Sequence, residues 1–215
     1  MSLKVCCVSD LHGRLPKIPE CDVLVIAGDV APDSKWFGRV PVSLYAEEQR
    51  DWFDTKFREW ETSVVKAPFI LAIPGNHDWC MTLPRGLRTQ WLIDMEVTID
   101  GRRFYGTPWV PQISGEWNFE ATPQLRNERC QNIPSGLDLL ITHAPPFNVL
   151  DEAWNGDHAG CEYILDAVSR TQPEHHVFGH IHEGRRAGFS MMLGTTACHN
   201  VAMWGSTWMP KMLEL

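Results

Sequence analysis

An apolar run followed at once by a short block of aspartate, asparagine or histidine occurs five times along this chain. Leu3 to Val8 leads into Ser9-Asp10-Leu11-His12, Asp22 to Ala27 into Gly28-Asp29, and Phe69 to Ile73 into Gly75-Asn76-His77-Asp78. Leu137 to Ile141 leads into Thr142-His143, and His175 to Phe178 into Gly179-His180-Ile181-His182. Continuous apolar runs rich in Val, Ile and Leu read as strands buried on both faces, which points to a parallel or mixed sheet covered by helices. Such a sheet collects its strand ends along one edge, and ligands bind outside those carboxyl ends. The five blocks are therefore expected to meet there.

Between the runs, Leu44, Trp52, Phe53, Phe57, Trp60 and Val64 recur at helical spacing with charged residues among them, which predicts an amphipathic helix over 44–64. Val97 to Tyr105 alternates about Asp100-Gly101, a hairpin signal. Gly160 to Val168 is expected to be helical, and Gly188 to Leu193 and Ala197 to Met203 to be further strands. The Pro- and Trp-rich stretch from Pro108 to Phe119 fits neither period and is expected to be an ordered, functional loop. With no repeat or linker, the 215 residues are expected to form one domain, 1–215.

A net charge of -8 argues against a partner as long as a nucleic-acid strand, which is gripped by a basic face, but leaves a small phosphate ester open because bound cations cancel local negative charge. Seven cysteines without CxxC spacing read as buried, reduced thiols. The chain opens directly into a strand, and no apolar run approaches membrane-spanning length, so no membrane partner and a cytoplasmic location are expected.

Aspartate, asparagine and histidine together suit hard-to-borderline divalent ions. Two adjacent ions need an anionic bridge, neutral nitrogen donors and an open position, and Asp29 is the natural bridge, with Gly28 allowing the sharp turn before it. Asp10 and His12, two residues apart, would point the same way in an extended chain, as would His180 and His182, with Leu11 and Ile181 turned into the core.

In order and in full, these DxH, GD, GNHD, H and GHxH blocks resemble the calcineurin-like metallophosphoesterase superfamily, over essentially the whole chain. A narrower likeness, to small metallophosphodiesterases related to the mammalian brain enzymes, rests on Gly106-Thr107-Pro108-Trp109, Trp117-Asn118-Phe119, THAPP at 142–146 and GHIHEG at 179–184. The resemblance implies an α/β four-layer sandwich: two mixed β-sheets packed face to face and flanked by helices, with all five blocks at one edge. It implies that Asp10, His12 and His182 hold one ion, that Asn76, His143 and His180 hold the other, and that Asp29 bridges them. His77 then stabilises phosphoryl charge or protonates the leaving oxygen, with Asp78 orienting it. The implied cofactors are two divalent ions, manganese foremost, with iron, zinc, nickel or magnesium as alternatives. The implied chemistry is attack on phosphorus by a hydroxide held between ions about 3.5 to 4 Å apart. The expected substrates are small phosphodiesters such as cyclic nucleotides. A phosphomonoesterase or protein phosphatase would share every ligand, and a non-catalytic scaffold on this fold is the reading from another class.

Trp109, Trp117 and Phe119 either form an aromatic wall for a nucleobase or close the core. Trp109, Asn118 and Arg14 are the candidates for substrate contact, with Arg85 behind them. His175 and His176 precede their apolar run and belong at its far end, as structural or solvated residues. His158 reads as a surface or cap residue, and His199 is open.

Overall fold

The computed structural model describes residues 2–35, 38–39, 41–80, 82, 84–183, 190–203 and 209–215. The first three apolar runs form parallel strands β1 (Lys4–Val8), β2 (Val23–Ala27) and β3 (Phe69–Ile73), extended by the short β4 (Gln90–Trp91). A C-terminal strand, β13 (Lys211–Glu214), pairs antiparallel with β1 and completes a five-stranded sheet. The second sheet has six strands. β6 (Arg102–Thr107), β9 (Leu139–Thr142), β10 (His175–Phe178) and β12 (Thr196–Asn200) are parallel, and β5 (Met95–Ile99) and β11 (Ser190–Leu193) run antiparallel at its edges. Both sheets are mixed.

Three apolar layers hold the sandwich together. Val5, Cys7, Val25 and Ile73 of the first sheet meet Phe104, Leu139, Ile141 and Val177 of the second. The opposite face of the first sheet, through Cys6, Leu24 and Ile26, packs on Phe53, Phe57 and Trp60. These lie on one helical run, α1 (Val42–Trp52), a π-helical segment at Phe53–Phe57 and α2 (Arg58–Ser63). Burying each such ring contributes roughly 1.5 to 3 kcal/mol. The outer face of the second sheet, through Tyr105 and Leu140, packs on Cys130, Ile164 and Val168 of α3 (Pro123–Gln131) and α4 (Glu162–Thr171). The result is the helix-sheet-sheet-helix order that the resemblance implied.

The hairpin turns at Asp100 and Gly101, both in the left-handed region at φ 49° and 82°, as a two-residue turn matching strand twist requires. Two of the longer elements were not foreseen. Helix α3 carries few apolar residues, but Thr122 caps it by accepting the Leu125 amide at 3.3 Å, and Pro123 starts it. β13 was too short to read as a strand without its partner. The Pro108 to Phe119 stretch holds a two-residue strand, β7 (Val110–Pro111), paired with β8 (Glu120–Ala121). Gly184 and the start of the 188–193 run lie outside the described residues. All seven cysteines are free and buried. Among the described residues no helix is long and apolar enough to cross a membrane.

Candidate metal centre

The five blocks meet at one edge shared by both sheets. Backbone links pull them together: the Gly179 amide donates to the His143 carbonyl and the Asp10 amide to the Gly28 carbonyl, each at 3.0 Å. The glycines of the blocks follow from the same crowding. A Cβ on Gly28 would fall on the His143 imidazole, one on Gly75 on the Asp29 carboxylate, and one on Gly179 on the Asp10 carboxylate. Each glycine leaves room for a polar side chain of another block.

The local geometry differs from the expected alternation. Asp10, His12, Asp29 and His180 all have left-handed backbones, at φ 57°, 45°, 52° and 65°. Non-glycine residues adopt this region at a cost that surrounding structure must sustain, and such strain gathers at functional sites. Asp10 and His12 thus converge through two left-handed turns rather than along an extended strand. Leu11 and Ile181 are nonetheless buried as expected.

The donor atoms form overlapping groups. Asp10, His12 and His182 offer ligand atoms within 4.8 Å of one another, as do Asp10, Asp29 and His143, and as do His12, Asp29 and His77. Asp29 Oδ2 is the hub, 3.3 Å from His143 Nε2, 3.8 Å from His12 Nε2 and 4.0 Å from His77 Nε2. Its other oxygen accepts the His77 amide at 2.8 Å. His182 Nε2 lies 3.1 Å from Asp10 Oδ1, whereas the His180 ring sits 5.0 Å from that of His143, so the two histidines of the last block face different neighbours. Asn76 Oδ1 is 3.1 Å from His143 Nε2.

These side chains fit divalent cations. Asp10 and Asp29 are buried carboxylates, a costly arrangement without positive charge close by. His143 Nδ1 donates to the Ala27 carbonyl at 2.8 Å, and His12 Nδ1 donates to Asp33 at 3.0 Å. Each bond fixes the ring and turns Nε2 toward Asp29, the arrangement that orients imidazole ligands in metalloproteins. Burial opposes protonation of His143, but Asp29 and Asp10 prevail and push its pKa up to about 9. Burial, aided by His143, pushes His180 down to about 3, leaving a neutral donor.

One sequence expectation is corrected. Asp78 does not orient His77. Its buried carboxylate accepts the amides of Ala31 at 2.8 Å, Val30 at 3.0 Å and Gly75 at 2.8 Å, clipping the GD turn to the GNHD turn. Burial first, then Asp29, raise its pKa to about 6. The carboxylate on His77 is Asp33, 2.6 Å from Nδ1, and the same oxygen receives His12. Gln49 was likewise missed. Buried on α1, it accepts the Trp79 and Cys80 amides and donates to the His77 carbonyl at 2.7 Å, which clamps the GNHD turn against the helix.

The aromatic residues divide. Trp109 donates its indole N–H to Asp94 at 2.9 Å, packs on Phe119 and lies beneath Arg129, so it anchors the loop. Trp117 lies against the His77 ring at 4.4 Å and stacks with Trp79 at 6.3 Å. Asn118 braces the GNHD turn, donating its side-chain amide to the Asp78 carbonyl and its backbone amide to the Asn76 carbonyl. Arg14 is exposed just past the first block, and the Arg85 carbonyl receives Arg58. His176 is buried against Thr142, His158 is bonded to Asp151, and His199 joins His175 and Ser190, so none of these takes part in the cluster.

A sandwich of two mixed sheets with buried carboxylates and imidazoles gathered at their shared edge is the architecture of metal-dependent phosphoesterases. The chain belongs to the calcineurin-like phosphoesterase family, whose model matches residues 3–184. It is therefore a metal-dependent phosphoric ester hydrolase, and the family implies a dinuclear divalent metal centre. The chain is 34% identical to Metallophosphoesterase domain-containing protein 1 of Homo sapiens, over 95% of its own length and 67% of that protein's. A UPF0046 protein of Caenorhabditis elegans is 31% identical over 84% of the chain and 64% of its own length. A solved structure, that of TT1561 from Thermus thermophilus, shares the fold at a TM-score of 0.57 and 12% identity, covering 93% of this chain and 89% of that one.

Proposed function

We propose that the protein is a phosphodiesterase acting on small esters, with cyclic nucleotides as the substrate class. The observation that carries this reading is the aromatic wall beside the metal centre. Asp33, Ser34, His77, Trp79 and Trp117 line a cleft of about 120 Å³, and the stacked indoles offer a flat face to a base joined to the phosphate. The net charge of -8 favours such a small ester over a long polymer.

Asp10, His12 and His182 would hold one ion and Asn76, His143 and His180 the other, with Asp29 as the carboxylate close to both sets. The mixed oxygen and imidazole donor set suits a divalent first-row transition ion, and manganese, which favours the oxygen donors, is the ion proposed. When bound, the ions supply the Lewis-acid charge that activates water near neutral pH and offsets phosphoryl charge. His77, held at Nδ1 by Asp33, presents Nε2 to the site and delivers a proton to the leaving oxygen. Asp33 keeps that proton in place: burial opposes charging His77, but the bond to Asp33 and the field of Asp29 raise its pKa.

The test is a manganese-supplemented panel of bis-p-nitrophenyl phosphate, p-nitrophenyl phosphate, and 2′,3′- and 3′,5′-cyclic nucleotides. Faster hydrolysis of the diesters is expected. A monoester-only profile would replace this reading with a phosphomonoesterase, and a metal-free chain that no added ion activates would leave only a scaffold.

A further inference from the structure

Away from the metal centre, Cys161 sits at the N-cap of α4, under the second sheet's outer helices, with Cys130 of α3 beside it. The Cys130 and Cys161 side chains pack together in the same buried cluster between the two helices. Arg126, one turn before Cys130 on the same helix, directs Nη1 at that sulfur from 3.7 Å. Arg126 is only 7% exposed, its Nε is buried with no hydrogen-bond partner among the described residues, and the Glu162 carboxylate, 4.0 Å from Nη2, is largely exposed. The guanidinium carbon also lies 5.4 Å from the centre of the Tyr163 ring. A guanidinium cannot shed its proton, so a buried one needs an anion. Within this cluster the sulfur of Cys161 is placed to supply it.

We propose that Cys161 is a thiolate bound to Arg126 and that, with Cys130 as its resolving partner, it forms a reversible disulfide when a peroxide oxidant reaches the pair. The neighbouring Cys130 thiol acts first, and against the cost of burial the Ile164 amide, Arg126 and the Tyr163 amide hold the Cys161 pKa below the usual thiol value. A helix N-terminus and a neighbouring cation are the settings that make cysteine nucleophilic, and an adjacent second thiol is the mark of a redox pair.

In the first step the Cys161 thiolate attacks one oxygen of hydrogen peroxide, the O–O bond breaks, and the departing hydroxide takes a proton to leave as water. The Cys130 sulfur then attacks the sulfenic sulfur and the S–O bond breaks. The expelled hydroxide takes the Cys130 proton. Two thiols and one peroxide become one disulfide and two waters, two electrons passing from sulfur to oxygen. Cys161 is fully covered, but Cys130 keeps 7% exposure, so the pair lies just beneath the surface.

The site also touches the metal-centre scaffold. The Cys161 amide donates to the Pro145 carbonyl at 2.9 Å and the Phe147 amide to the Cys161 carbonyl at 3.2 Å, in the segment that follows His143.

The full chain, treated with hydrogen peroxide, quenched with N-ethylmaleimide and mapped by peptide mass spectrometry, is expected to show a Cys130–Cys161 disulfide that dithiothreitol reverses. In Cys130→Ser the same treatment with dimedone present should label Cys161 as its sulfenic acid. Arg126→Met, checked for folding by circular dichroism, should slow Cys161 oxidation by about tenfold, with Arg126→Lys closer to the parent. Oxidation confined to other cysteines, or a Cys161 that stays reduced in both the parent chain and Cys130→Ser, overturns the proposal.

Discussion

Replacing Asp33 by asparagine tests the proton donor assigned to His77, and its size follows from the contact geometry. The Asp33 oxygen lies 2.6 Å from His77 Nδ1, so the two charges are separated by roughly 4 Å, worth about 1 kcal/mol in water and about 4 kcal/mol at a partly buried site. Asp33's side chain is 54% exposed and that of His77 27%, so solvent screening holds the value near the lower end, about 1 to 2 kcal/mol. That corresponds to about one pKa unit. Asparagine retains an oxygen that accepts the Nδ1–H and removes only the charge. His77 has its pKa raised in the folded chain, so its proton is present at low pH and lost as pH rises through that raised value. Taking away the carboxylate moves this loss to lower pH.

The alkaline limb of the pH-rate profile of Asp33→Asn should therefore shift down by about one unit, giving a roughly tenfold slower reaction on that limb. The shift should be strong for a nucleoside ester, whose leaving alkoxide needs a proton, and weak for bis-p-nitrophenyl phosphate, whose leaving group does not. Because Asp33 also receives His12, metal content must be measured in both proteins and the assays run at saturating manganese. Equal losses on both substrates would mean that Asp33 acts through the metals or the fold. An unmoved alkaline limb would remove His77 from the proton transfer.

Asp78→Ala should act on stability rather than on the pH profile. It leaves the amides of Val30, Ala31 and Gly75 without their acceptor, at about 1 kcal/mol or more each, and should lower Tm by roughly 6 to 12 °C in a calorimetric scan. Gly28→Ala places a Cβ on the His143 imidazole at a residue with φ of 99°, and should weaken metal retention by at least about tenfold, read by elemental analysis of dialysed, folded protein. Loading manganese at pH 7 should release about two protons, since His12 and His143 both hold protons up to about pH 9 in the metal-free chain. Calorimetry in buffers of different ionisation enthalpy reads this, and a buffer-independent heat would contradict it.

What was legible in the sequence divides along a physical line. Strands β1, β2, β3, β9 and β10 read directly because each is apolar on both faces, and parallel pairing then obliges their ends to share an edge. Asp10, Asp29, Asn76, His143, His180 and His182 are brought together by that topology, whatever the detail of each turn. The second layer of contacts has no such guarantee. Asp78 follows His77 in the chain, yet its carboxylate turns back to the Val30 and Ala31 amides, and the carboxylate on His77 comes from Asp33, in a loop with no period to place it. Gln49 reaches the same turn from a helix whose amphipathic pattern gave no sign of a buried amide. Turn handedness decides such contacts: Asp10, His12, Asp29 and His180 leave their strands with positive φ, where two-residue alternation does not say which way a side chain points. The residues that orient a ligand are set by crowding between blocks, and in this sequence the trace of that crowding is Gly28, Gly75 and Gly179. Each is glycine because another block's carboxylate or imidazole occupies the space of its missing Cβ.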